Sequence, residues 1–144
     1  MKYLLLVSHG DFSNGLKQTL SMFAGETINS VIAVGLKPDE TSTTLEHHFE
    51  TILEKLPTDA QFIVLADIIG GSPLTTVCNT LNKYNKLQGS FIIGGMNFSM
   101  ALTALMSKDI MDEEELKAKI MSESKGAIKF LDIAVASETS DDDI

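Results

Sequence analysis

Two stretches of the chain set reactive side chains beside glycine. Leu6-Val7-Ser8-His9-Gly10-Asp11-Phe12-Ser13 places a histidine directly after an apolar run, and Asp67-Ile68-Ile69-Gly70-Gly71-Ser72-Pro73 places an aspartate, a glycine pair and Ser-Pro after another. A carboxylate that accepts a hydrogen bond from one imidazole nitrogen fixes the tautomer and leaves the other nitrogen's lone pair free to attack an electrophile. On that reading His9 is a nucleophile and Asp67 its orienter, and the carboxylate also stabilises the positive ring formed on attack. Helix N-termini and the amides of Gly70 and Gly71 offer donors to an incoming anion, for which phosphate is the fitting species. Ser72 gives its hydroxyl either to that anion or, as an N-cap, to the helix backbone. Gly10 and Gly15 permit close backbone approach, and Gly15 is equally readable as a packing accommodation in the first helical turn. Plainer readings exist: a histidine at a strand end can be a hydrogen-bonded structural residue, and an aspartate can cap a turn. The convergence of both with a Gly-Gly-Ser-Pro turn favours chemistry.

Five apolar, β-prone runs must position these residues: Tyr3–Ser8, Ser30–Gly35, Gln61–Ala66, Ser90–Gly94 and Ala127–Val135. The first four are almost continuously hydrophobic, as strands covered on both faces are, so they predict a parallel sheet. Between them Leu16, Leu20 and Phe23, then Leu45, Phe49, Ile52, Leu53 and Leu56, form helical stripes facing the sheet. Ser72-Pro73 starts a third helix carrying Leu74, Val77, Cys78 and Leu81, Met96–Met106 is a buried fourth, and Asp112 with Glu115 caps a fifth that turns Leu116 and Ile120 inward. The alternation predicts a doubly wound α/β fold of four parallel strands with helices on both faces. The fifth run mixes Lys129 and Asp132 among apolar residues and is expected as an edge strand, open to pairing. In such sheets ligands bind outside the carboxyl ends of the strands, where His9 and Asp67 both arrive, with Gly94-Gly95-Met96-Asn97 following the fourth strand.

The chain has 144 residues, with 11 basic against 20 acidic side chains and a net charge of −9. That length argues for one domain, taken as residues 1–136, followed by an acidic tail over 137–144. The acidic balance disfavours nucleic acid and anionic membranes as partners. No apolar run approaches the ~20 residues of a membrane span, and Met1–Val7 is too short for a signal peptide, so a cytoplasmic location is expected. The single cysteine, Cys78, cannot form an internal disulfide and reads as a core residue. His47 and His48 point ~100° apart on a helix, a poor arrangement for one metal, and are expected to be solvated. Met96, Met100 and Met106 are expected to fill space around the fourth helix. Every basic residue is lysine, so the arginine-rich phosphate pocket of histidine phosphatases cannot be built. A receiver domain would need an acidic pair where Ser8-His9 stands, and Gly10 to Gly15 lacks the spacing of a dinucleotide-binding loop.

The block from Leu6 to Ser13, with Asp67, Gly70, Gly71, Ser72 and Pro73, resembles the mannose-family IIA component of the bacterial sugar phosphotransferase system, from the chain's start to its fifth apolar run. Ile68 and Ile69 stand where some relatives carry an aromatic residue. The resemblance implies that His9 accepts a phosphoryl group from the phosphocarrier HPr and passes it to a IIB component on a separate chain, with membrane IIC and IID components acting indirectly. It also implies that Asp67 bonds Nδ1, placing phosphate on Nε2, and that Ser72 helps bind it. Neither metal nor cofactor is called for. A homodimer exchanging its last strand is implied as well. The related phosphotransfer subunit of dihydroxyacetone kinase and a regulatory module phosphorylated on histidine share these features and stand as alternatives.

Overall fold

A computed structural model describes residues 1–136. The expected strands form β1 (Lys2–His9), β2 (Val31–Leu36), β3 (Gln61–Ala66) and β4 (Phe91–Ile93), joined in one parallel sheet of order β2-β1-β3-β4. The helices are α1 (Phe12–Ala24), α2 (Ser42–Glu54), α3 (Ser72–Lys83), α4 (Phe98–Ser107), α5 (Glu113–Gly126) and a short α6 (Ile133–Ala136), with a 3-10 segment over Gly25–Ser30.

Continuous hydrophobicity in β1 serves two cores. Leu4 and Leu6, with Ile63 and Leu65 of β3, pack under α1, α4 and α5 through Leu16, Leu20, Met100, Ala104, Leu105, Leu116 and Ile120. Tyr3, Leu5 and Val7, with Phe62, Val64 and Ala66, pack on the opposite face against Leu45 and Phe49 of α2 and Leu74, Val77 and Leu81 of α3. Each fully buried leucine of β1 contributes about 1.5–3 kcal/mol through removal of its surface from water. The arrangement also fixes the site. β1 feeds α1 on one face while its neighbour β3 feeds α3 on the other, so the chain diverges at their carboxyl ends and leaves a crevice at the point where the winding reverses.

Several expectations are corrected. Residues 127–132 form no strand; they are irregular and lead into α6, with Ile128, Phe130, Leu131 and Ile133 exposed. A strand needs a neighbouring strand to complete its hydrogen bonds, and among the described residues the sheet comprises only β1, β2, β3 and β4. Phe23 faces outward because the inward stripe of α1 continues from Leu16 and Leu20 to Ala24, a four-residue step that leaves position 23 to one side; its ring packs 5.1 Å from that of Phe98. Helix α4 begins at Phe98, capped by the Asn97 side chain, and Met106 lies opposite its buried Met100–Ala101–Ala104–Leu105 face. Asp112 caps α5 as expected, its Oδ1 accepting the Glu115 amide at 2.9 Å. The expected tail over 137–144 lies outside the described residues.

Candidate active site

His9 is the last residue of β1 and Asp67 the first after β3. The His9 Nδ1 stands 2.8 Å from Asp67 Oδ2, and the His9 backbone N–H donates to the same oxygen at 2.9 Å. Asp67 Oδ1 accepts the Ile68 amide, also at 2.9 Å. An ionised carboxylate can only accept, so the ring donates from Nδ1 and its lone pair lies on Nε2. The His9 side chain is 51% exposed and that of Asp67 only 17%. Burial pushes the Asp67 carboxyl upward, but the N–H groups of His9 and Ile68 outweigh it and hold the group below its ordinary range.

The turn that carries His9 is fixed from below. Buried Ser8 accepts the Ser13 amide on its Oγ at 2.8 Å, capping the start of α1 from inside the sheet. Ser13 Oγ in turn donates to the Val34 carbonyl of β2. Gly10 adopts φ +58°, and its N–H donates to the Leu36 carbonyl, so this glycine serves the turn and its amide is committed to β2. Gly35 runs so close beneath that a Cβ there would stand 2.1 Å from the Gly10 carbonyl oxygen. The sequence alone assigns these serines and Gly35 no structural role; the local signal is small residues flanking His9. Gly15 has nothing within 4 Å of a would-be Cβ, so no close approach requires it.

On the other side, Gly70 (φ +92°) and Gly71 (φ +85°) are in the left-handed region. A Cβ on Gly71 would lie 3.1 Å from His9 Cε1 and 3.4 Å from Nε2, so the turn passes directly over the ring edge bearing the free nitrogen. Because this turn uses both glycines, Gly71 occupies the cap position of α3 and Ser72 is its first helical residue, with Pro73 next. The expected N-cap role of Ser72 is thus corrected: its side chain makes no capping bond. Ser72 and Gly71 instead border an open groove of about 490 Å³ between the N-terminal turns of α2 and α3.

Other titratable groups stand apart. His47 and His48 are exposed. Glu46, His47 and Glu50 have ligating atoms within 4.8 Å of one another, but Glu50 is held at 2.7 Å by Lys83. Cys78 is half-buried in the apolar cluster under α2 and α3, and burial pushes its thiol pKa up, away from reactivity.

Fold and site together define a doubly wound α/β protein with a carboxylate-held histidine at the switch point of its sheet. The family described as PTS system fructose IIA component matches residues 3–121. The chain belongs to that family and is a IIA component of mannose/fructose type of the sugar phosphotransferase system. It is 26% identical over 113 residues to the PTS system fructose-specific EIIA component of Bacillus subtilis, covering 78% of this chain and 75% of that protein. It is also similar to the PTS IIA protein associated with the fucose utilization operon of Streptococcus pneumoniae, at 32% identity and a TM-score of 0.68, over 84% of this chain and 89% of that one. The mannose/sorbose-specific IIA subunit of Enterococcus faecalis shares the fold with a TM-score of 0.75 at 24% identity, over 92% and 96% of the two chains. Among the described residues no helix is long and apolar enough to cross a membrane.

Proposed function

We propose that this IIA component is a phosphocarrier that takes a phosphoryl group from phospho-HPr onto His9 Nε2 and passes it to a IIB component, for coupled sugar uptake and phosphorylation. The observation that carries the reading is the Nδ1–H to Asp67 hydrogen bond at 2.8 Å on a half-exposed ring, which leaves Nε2 as the basic nitrogen. In the transfer, the Nε2 lone pair forms a bond to phosphorus while the donor's N–P bond breaks and its electron pair stays on the donor imidazole. The ring of His9 gains positive charge, which Asp67 offsets through the hydrogen bond. Onward transfer reverses these steps, with the IIB nucleophile attacking and the Nε2–P bond breaking. Because the group arrives on an activated nitrogen, positioning and charge stabilisation suffice and no cofactor is needed.

The phosphoryl oxygens would lie toward the Gly70–Gly71 turn and the first turn of α3, whose amides favour an anion. Ser72, with a hydroxyl free of capping, is suited to donate to them. Gly10 belongs to the site through the bend it allows. Exposed Phe12, at the start of α1, and Ile68 and Ile69, in the loop after β3, lie near His9 in the chain or at the same rim and suit transient docking of two successive protein partners. We take residues 1–136 as one domain acting in the cytoplasm. The homodimer with an exchanged last segment is supported by exposed Ile128, Phe130, Leu131 and Ile133, apolar side chains without cover among the described residues.

Labelling from phospho-HPr tests the reading. The wild-type chain should take up one phosphoryl group, and His9→Ala should take up none while keeping its circular dichroism. Equal labelling of the two would refute it.

A further inference from the structure

Ile69 and Gly94 meet across the crevice rim. Ile69 is 69% exposed, yet it lies against the backbone that follows β4: a Cβ on Gly94 would stand 2.4 Å from Ile69 Cγ1, 2.7 Å from Cδ1 and 3.0 Å from its amide nitrogen. Gly94 has no left-handed φ, so side-chain space, and not backbone conformation, demands glycine there.

From this contact the geometry points to Gly94 and Ile69 as a positioning pair that sets how closely the Gly70–Gly71 turn and Asp67 approach the His9 imidazole. The inference rests on the reading of His9 as the phosphoryl acceptor. Two facts make the contact directional. The segment after β4 cannot retreat, because Gly95 donates to the Asp67 carbonyl at 3.2 Å, Met96 donates to the Ala66 carbonyl at 2.9 Å, and the Met96 side chain is buried. A methyl group on Gly94 must therefore displace Ile69. Its Cγ1 is not a free end: Ile is branched at Cβ, so rotation about χ1 tends to exchange one clash for another. Ile69 also sits directly between the two parts of the site. Before it, the Ile68 amide holds Asp67 Oδ1 at 2.9 Å; after it, Gly70 leads to Gly71 over the ring edge. Moving residue 69 shifts the orienting carboxylate and the anion-facing turn together.

The test is a steric cycle read in two ways: the rate of labelling from phospho-HPr, and the ¹⁵N and Nδ1-proton signals of His9 in the unphosphorylated protein. Gly94→Ala should slow labelling by roughly ten- to a hundredfold, the range in which small misplacements of reacting groups fall, and should shift the ring signals. Ile69→Ala alone, which loses the rim side chain but keeps the Ile68 amide on Asp67, sets the reference rate and the reference ring signals for the cycle. The double variant Gly94→Ala/Ile69→Ala should return close to the rate and ring signals of Ile69→Ala, falling short only because the amide nitrogen of residue 69 remains. A Gly94→Ala protein with wild-type rate and ring signals overturns the inference, as does a defect that Ile69→Ala leaves in place. Should Gly94→Ala alone fail to fold, the double variant decides: folded with the ring signals of Ile69→Ala supports the pair, and unfolded or shifted from them overturns it. If the wild-type chain takes no phosphate, the phosphocarrier reading fails, and the ring signals still decide the positioning pair.

Discussion

Asp67 is where the electrostatics of the site concentrate. Its carboxylate accepts two N–H groups on Oδ2 and one on Oδ1, and that preference for the charged form outweighs burial. A carboxyl with a lowered folded-state pKa stabilises the protein above its unfolded value, ordinarily near ~3.9. The contribution disappears as pH falls through the lower folded value. Asp67→Asn should thus cost about 1–3 kcal/mol at neutral pH, as for hydrogen bonds to charged groups. In urea denaturation series the gap between wild type and variant should stay constant above about pH 5 and narrow below ~pH 4, by the same linkage. A gap that widens in acid would contradict the assigned cause. At this scale the sequence was informative about His9 and Asp67, since each follows an apolar run and the rim rule brings strand ends together. It was silent on Ile69 against Gly94, because that contact joins two loops and has no local signature.

Elements explain both the accuracy and the misses of the sequence reading. Continuous apolar runs identified four parallel strands because β1 and β3 bury both faces, and alternating residues of β1 indeed divide between two cores. Boundaries moved where local geometry intervened: two consecutive positive-φ glycines shifted the start of α3 by one residue, so Ser72 lost its cap role. The small residues of the β1–α1 turn lead to a paired expectation. Gly35→Ala should destabilise by about 1–3 kcal/mol or more, because its Cβ meets the Gly10 carbonyl oxygen and neither backbone can yield without moving the His9 turn. Gly15→Ala, with open space around it in α1, should stabilise by roughly 0.5–1 kcal/mol. Urea midpoints of the two variants moving in the same direction would contradict this account of the turn.

For the whole molecule, the outstanding feature is the exposure of Ile128, Phe130, Leu131 and Ile133 after α5, apolar side chains without cover among the described residues. The sequence marks residues 127–135 as strand-forming, and the propensity is real in Ile128, Phe130 and Ile133; among the described residues no sheet edge pairs with the run. If a second copy supplies it, wild type sediments as a dimer and Phe130→Asp shifts it toward monomer; a wild type that is monomeric at micromolar concentration would contradict the exchanged-segment proposal. The same scale accounts for the placing of the chemistry. The strand order reverses between β1 and β3, and that reversal opens a crevice in which an imidazole can be held from behind and approached from in front. The most direct measurement is therefore NMR of the ¹⁵N-histidine-labelled chain after incubation with phospho-HPr. The phosphorus should couple to Nε2 of His9, with Nδ1 still protonated toward Asp67; phosphate on Nδ1, or on any other residue, would rule out His9 Nε2 as the carrier.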